Sequence, residues 1–243
     1  MSIPTTIPEA TKQAKIATQA ALDTGISRLQ VEMAIPELKQ QPIAQQFIEL
    51  FSGRQFKVLF PDAGAAALAR RDWDNPEFVI RGLGELTQTV DPDDDLYLIV
   101  NPSAVEVDKV EALCNEALDQ PVVLLNPQLE DVAVVGIGYA ARQLRDRFLS
   151  QIETCYYVRP IDQGVVYRAY PGPWQIWRET APDEYEHVQD LSSRPAGEDI
   201  ERILYGDAET VSSESVSGKA TTQSSKKKGL FAELQQFLKA LNQ

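Results

Sequence analysis

The sequence has a single histidine, His187, and two cysteines, Cys114 and Cys155. One histidine excludes a multi-histidine metal centre and leaves a histidine-based nucleophilic triad improbable. The cysteines fall far apart in different predicted elements, so there is no disulfide framework and no CxxC motif. They read as small buried hydrophobes in a reducing compartment. No run reaches the roughly 18 apolar residues of a membrane span. The N-terminal stretch is broken by Lys12 and Lys15, has no apolar signal-peptide core and is not an Arg-rich transit segment. The expected location is therefore the cytoplasm. Positive charge is also scarce: 23 Lys and Arg stand against 36 Asp and Glu, a net charge of -13. Neutralising phosphates needs clustered cations, so nucleic acid is not an expected partner. Nor is an anionic membrane an expected surface for the bulk of the chain. Neither a GxSxG elbow nor a GxxxxGK[ST] loop occurs.

What is present is a core. Hydrophobic residues make up 43% of the 243 residues. Helical signals at 8–24, 42–52, 63–72, 103–118 and 139–151 alternate with strand signals at 26–35, 58–60, 78–80, 96–100 and 122–125. Strand 26–35 places Leu29, Val31, Met33 and Ile35 on one face; the later strands are short apolar runs. Such alternation predicts a mostly parallel, Rossmann-like α/β sheet with helices on both faces. After residue 151 the style changes. Strand-like segments 154–159, 165–170, 174–179 and 185–191, parted by turn signals, predict an antiparallel meander that continues the sheet. A helix at 195–205 closes a core domain spanning 1–206, with no metal or cofactor implied.

The charge is uneven. Residues 207–243 carry five lysines (Lys219, Lys226, Lys227, Lys228, Lys239) against Asp207, Glu209, Glu214 and Glu233, so they sum to +1 and 1–206 holds -14. Residues 207–228 lack a hydrophobic pattern and read as a flexible linker. Residues 229–243 read as an amphipathic helix: Leu230, Phe231, Leu234, Phe237, Leu238 and Leu241 occupy an arc of roughly 120°. A helix of about a dozen residues is marginal alone in water, so it is expected to fold against something.

Four strands stop at a proline with a polar neighbour: Pro36–Glu37, Pro61–Asp62, Asn101–Pro102 and Asn126–Pro127. Proline cannot continue a central ladder, so these mark carboxyl edges, where ligands bind in open parallel sheets. Glu37, Asp62, Asn101, Ser103 and Asn126 are thus a candidate ligand-binding rim, to which Arg142 and Arg145 would add positive charge. The bland reading of the same residues is turn capping. The segment from Phe60 to Trp73 has the strand–turn–helix form of an anion site, but Asp62 would repel an anion; close helix packing is the better reading. Gly136 to Ala141 is a formal GxGxxA, late in the chain and more suited to tight packing. Tyr167 to Trp177 reads as a hairpin with aromatic pairs, with Tyr170 and Trp174 as its expected exposed members. The acidic run Asp93–Asp95 reads as a solvated loop.

Several segments together resemble a family of domains of unknown function from cyanobacteria and chloroplasts. They are Phe60-Pro-Asp-Ala-Gly with Arg70-Arg-Asp-Trp73, Leu98-Ile-Val-Asn-Pro-Ser103, Leu124-Leu-Asn-Pro127, the stretch 136–147, Tyr156-Tyr-Val-Arg-Pro160, and Arg168-Ala-Tyr-Pro-Gly-Pro-Trp174. The resemblance covers about residues 8–205. Plant members of that family include a chloroplast protein named for low photosystem II accumulation. What the resemblance implies is a non-enzymatic accessory or assembly factor of the photosynthetic apparatus. Its partners would be photosystem II assembly intermediates or other thylakoid proteins. The core would act as a protein-binding module. Lys226, Lys227 and Lys228 would meet acidic lipid heads on the cytoplasmic face of the thylakoid or a partner groove, and Leu230, Phe231, Leu234, Phe237, Leu238 and Leu241 would insert or pack. The alternative is a small-molecule- or nucleotide-binding α/β domain, an enzyme included, that uses the carboxyl-edge rim.

Overall fold

In a computed structural model of the chain, residues 2–85, 90–130 and 139–206 are described. Residues 136–138, which hold both glycines of the formal GxGxxA motif, and the whole of 207–243 lie outside them. The elements follow in the order α1 (Ile7–Asp23), β1 (Arg28–Met33), α2 (Gln40–Ile48), β2 (Phe56–Phe60), α3 (Ala63–Asp72), β3 (Val79–Gly82), β4 (Leu96–Val100), α4 (Val107–Glu116), β5 (Val122–Leu125), α5 (Tyr139–Arg147), β6 (Glu153–Ile161), β7 (Gly164–Ala169), β8 (Trp174–Ala181), β9 (Glu184–Leu191) and α6 (Gly197–Tyr205). Nine strands among the described residues form one sheet, ordered β3-β2-β4-β5-β1-β6-β7-β8-β9. The pairings of β2 with β3 and β4, of β4 with β5, and of β1 with β5 and β6 are parallel, and β8 pairs with β9 antiparallel. The expected mixed α/β class holds.

The chain divides into two compact units, Pro4–Val158 with Arg168–Gly172, and Met1–Ile3 with Arg159–Tyr167 and Pro173–Gln243. In the larger unit the helix faces follow from strand order. The connections β1→β2 and β2→β3 run toward one edge, whereas β4→β5 and β5→β6 run toward the other. Crossovers of one hand that travel in opposite directions put their helices on opposite faces. So α2 and α3 cover one face, with α1 beside α2, and α4 and α5 cover the other. Leu59, Tyr97, Ile99, Val122 and Leu124 point to the second face and pack on Val110, Leu113 and Cys114 of α4 and on Phe148.

Local chemistry explains the element ends. Thr6 caps α1 by accepting from the Glu9 amide, and Pro8 sits in its first turn. The helix stops at Gly25, whose φ is +83°. Gly25 N–H donates to Leu22 O and Ile26 N–H to Ala21 O, the paired bonds of a Schellman motif. The thin apolar stripe of α1 is buried in full, because Ala10, Ala14, Ala17 and Ala21 let the helix approach the sheet closely. Thr18 Oγ1 comes within 3.5 Å of Cys155 Sγ there. At Gly82 a Cβ would meet the Asp62 carbonyl carbon and the Ala63 nitrogen at 2.7 Å, so the end of β3 lies directly on the start of α3.

Three expectations need correction. Helix 103–118 is shorter, beginning at Val107, because Ser103 to Glu106 form a separate turn closed by the Glu106 carboxylate. Trp174 is buried, 4% exposed, and Arg194 lies over its ring at 5.8 Å. The run Asp93–Asp95 is not simply solvated. Asp94 forms a 2.7 Å ion pair with Lys57 of β2, both side chains only 11% exposed, and Asp95 Oδ2 accepts from the Gln55 amide.

In the smaller unit α6 packs on β8 and β9, with Arg178 Nη2 donating to Leu204 O over 3.1 Å. Tyr205 Oη donates to Asp162 O.

Candidate functional site

The strand order creates one topological switch point. The connection leaving β2 runs to β3 and the one leaving β4 runs to β5, away from each other. In open α/β sheets the crevice between two such carboxyl ends is the usual ligand position. Asp62 follows β2 there and Asn101 follows β4, with Ser103 beyond it. Asn126 follows β5 and Glu37 lies four residues past β1. All five sequence-chosen residues thus stand on the carboxyl side of the larger unit's sheet.

Most of them are committed to the turns. Asp62 Oδ1 accepts from the Ala65 amide at 2.9 Å and caps α3. Ser103 donates its hydroxyl to Glu106 Oε2 at 2.6 Å, while its Oγ accepts from the Val105 amide. Asn126 is 7% exposed; its Oδ1 accepts from Met33 N–H at 2.6 Å and its Nδ2 donates to Gln40 Oε1. The residue therefore ties the end of β1 to the start of α2. Glu37 is exposed, at the third position of a turn closed by Leu38 N–H to Ile35 O, with φ at +57°. Pro36 presets the second position of that turn.

Asn101 differs. Its Oδ1 is buried and has no hydrogen-bond partner. The reason lies in a repeat of geometry. Asn126 N–H donates to Val31 O and Asn101 N–H donates to Leu125 O, each asparagine holding a left-handed φ near +50° after its strand. Asn126 Oδ1 is satisfied by the amide two residues past Val31, that of Met33. The corresponding residue two past Leu125 is Pro127, which has no N–H. The Asn-Pro pair that marks the strand end so removes the donor its neighbour would use. Replacing Pro127 by Ala restores an amide at that position. A buried acceptor left unsatisfied costs about 1–3 kcal/mol, and losing the proline costs about 0.4–1 kcal/mol through the unfolded chain. The expected net is a gain near 1 kcal/mol, read as a higher urea midpoint at unchanged slope.

Of the two arginines chosen for the rim, Arg145 is already engaged by a carboxylate. Arg145 pairs with Glu130 at 3.0 and 3.3 Å, and this carboxylate raises its pKa. Arg142 is exposed on α5. Arg147, not singled out from the sequence, makes a two-pronged bond to Glu111 at 2.8 Å and ties α5 to α4. Sequence reading also passed over Gln30, which donates to Glu32 Oε1 and to the buried Thr154 Oγ1 within the sheet; polar residues inside a strand pattern were the available signal. Both thiols are buried, and burial pushes Cys114 and Cys155 up to about 11, which leaves them protonated and unreactive near neutrality. No group of three or more potential metal ligands gathers among the described residues.

A second feature of the larger unit is a groove of about 560 Å³ between α1 and the end of α2. Lys12, Lys15, Ile16 and Gln19 line one side and Gln46 and Leu50 the other. Ile16 is 49% exposed there, while Lys15 is held by Glu49 at 2.5 Å. An exposed branched aliphatic beside a clamped lysine gives an apolar floor with a polar edge.

The residues that build both features fall within one family model. The chain belongs to the DUF1995 family. The model, described as a domain of unknown function, matches residues 4–202. The DUF1995 domain therefore contains the rim, the groove and the whole sheet, and residues 207–243 lie beyond it. No solved structure matches the chain.

Proposed function

We propose that this chain is a non-enzymatic accessory factor whose DUF1995 domain binds a protein partner and whose residues 226–241 dock on a thylakoid surface or partner. Photosystem II biogenesis is the setting implied by the sequence resemblance. The observation that carries the protein-binding part is the commitment of the rim: Asp62, Ser103 and Asn126 use their polar atoms to hold turns. An apolar surface open to a partner among the described residues is the α1–α2 groove around Ile16. Aliphatic side chains in such grooves take up partner anchors. The test is purification of the tagged chain from its native cell, in separated soluble and membrane fractions. The full chain, a form ending at Gly206 and Ile16→Asp are compared. Photosystem II assembly intermediates should accompany the full chain and fall at least fivefold with either change. A soluble metabolic enzyme in their place, or equal recovery in all three, overturns the reading.

One observation favours a second reading, a small-molecule site at the rim. The orphan Asn101 Oδ1 is an acceptor at the switch point, so its ligand would present an N–H or O–H donor. A nucleotide base or an amino compound has that chemistry. In a thermal-shift screen, a ligand at 100 times its Kd adds about 2.7 kcal/mol. Pro127→Ala, which satisfies the acceptor from within, should abolish the response. No shift with any nucleotide or sugar phosphate removes the second reading.

A further inference from the structure

The β8–β9 hairpin carries a half-exposed aromatic and acidic face. Arg178 reaches Leu204 of α6, so its strand neighbours Trp177 and Glu179 point the other way. Across the ladder Gln175 pairs with Asp190, Trp177 with His187 and Glu179 with Tyr185. A register slip between Ile176 and Trp177 inserts an extra residue in β9, which brings His187 and Asp190 onto one face. These side chains are linked. Trp177 Nε1 donates to Gln175 Oε1 at 3.1 Å, Gln175 Nε2 donates to Asp190 Oδ1 at 3.1 Å, and His187 Nε2 lies 2.7 Å from the same oxygen. The His187 and Trp177 rings meet edge to face at 5.1 Å. Glu179 and Asp183 bring negative charge beside Tyr185, whose pKa is pushed up to about 12, mainly by burial and then by those carboxylates. Between Trp174 and Leu191 the acids are Glu179, Asp183, Glu184, Glu186 and Asp190, against Arg178 alone, a net charge of -4 with His187 neutral.

Complementary charge is present in the same unit. From Lys219 to Gln243 the chain has Lys219, Lys226, Lys227, Lys228 and Lys239 against Glu233, a net charge of +4. The segment leaves from α6, whose last turn is bonded to the middle of β8. A coil joining Gly206 to Lys226 has a root-mean-square span of roughly 25 Å. An eight-residue strand is about 26 Å long. The basic run can therefore reach any point on the hairpin. The α1–α2 groove of the larger unit sets Lys12 and Lys15 beside Asp23 in its lining, so it presents less negative charge to a lysine run than the hairpin does.

We propose that in the free protein residues 226–241 dock on the aromatic and acidic face of the β8–β9 hairpin of the same chain. Lys226–Lys228 lie along Glu179, Asp183 and Asp190, and the apolar side chains that follow pack on Trp177 and Tyr185. The docking segment is then held in reserve, and a surface of higher negative charge competes for it. The proposal shares with the functional reading only the identity of that segment. It concerns the free chain in buffer, so vesicle flotation or partner capture can fail without touching it, and the reverse.

The test is zero-length carbodiimide cross-linking of the dilute full chain, with peptide mapping of the monomer band. Cross-links from Lys226–Lys228 should concentrate on Glu179, Asp183 and Asp190. They should fall at least fivefold in Lys226→Glu/Lys227→Glu/Lys228→Glu and in about 1 M salt, where the Debye length shrinks to about 3 Å. The emission of Trp177 should shift in the same variant. Cross-links spread evenly over all surface carboxylates overturn the proposal. Cross-links confined to a dimer band also overturn it and point to a second copy as the occupant.

Discussion

Removing Asp94 alone should cost about 3–5 kcal/mol, the range for breaking a buried ion pair by deleting one partner. Lys57 enters the sheet on β2 and is 9% exposed, and Asp94 is the carboxylate 2.7 Å from its ammonium. Tyr97 of β4 donates to the same Asp94 oxygen at 2.8 Å and accepts from the Asp91 amide at 3.0 Å. Its ring lies 5.9 Å from the Lys57 ammonium. Burial raises the Tyr97 pKa, and the Asp94 carboxylate adds to that rise, so the phenol stays a donor through the neutral range. Asp94→Asn keeps the shape and removes the charge; Lys57 then lacks this counter-charge in a largely dry site. The expected result is a large drop in the urea midpoint for Asp94→Asn and for Lys57→Ala. The double variant Lys57→Met/Asp94→Leu should recover most of it, because a well-packed apolar pair avoids both desolvation penalties. Two single-variant losses that simply add in the double would show that the two groups do not interact.

That cluster also shows where sequence reading stops. Strands β4 and β5 were legible to the residue because both faces are covered, and a fully buried parallel strand is written as an unbroken apolar run: Leu96–Val100 and Val122–Leu125. β2 contains Lys57, which breaks that code, and its partner lies in an acidic loop whose composition reads as solvated. Composition reports average exposure, not which one of several carboxylates turns inward. The rim was legible as a place, since prolines mark strand ends. Its chemistry was not, because Asn101 and Asn126 share a motif and a backbone conformation yet differ in whether a donor faces them. That difference depends on the neighbouring strand, through Met33 in one case and Pro127 in the other. Likewise Trp174 follows a turn in sequence and reads as exposed, but the pleat points it to the α6 side, where Arg194 covers it.

Arg28→Ala should destabilise the domain by about 3 kcal/mol, and Arg28→Lys should recover less than half of it. The guanidinium at the start of β1 donates to four carbonyls: Ser27 at 2.8 Å, Gln120 at 3.0 Å, and Cys114 and Ala117 at 2.5 Å each. Cys114 and Ala117 belong to the last turn and end of α4, whose final carbonyls have no partner within the helix. A cation there also meets the negative end of the helix dipole. Hydrogen bonds to a charged group contribute about 1.5–3 kcal/mol each when counted singly. They share one side chain here, so the sum is far below four times that figure. Lysine keeps the charge, but its three donors radiate from one nitrogen and cannot span carbonyls on both sides of a planar fork. Since Arg28 and Val122 pair in register, the same side chain locks α4 to the start of both β1 and β5. Loss of the lock should raise amide exchange in the last turn of α4 before it raises exchange in β4. Equal urea midpoints for the native chain and Arg28→Ala would remove the guanidinium from the account of how α4 is held.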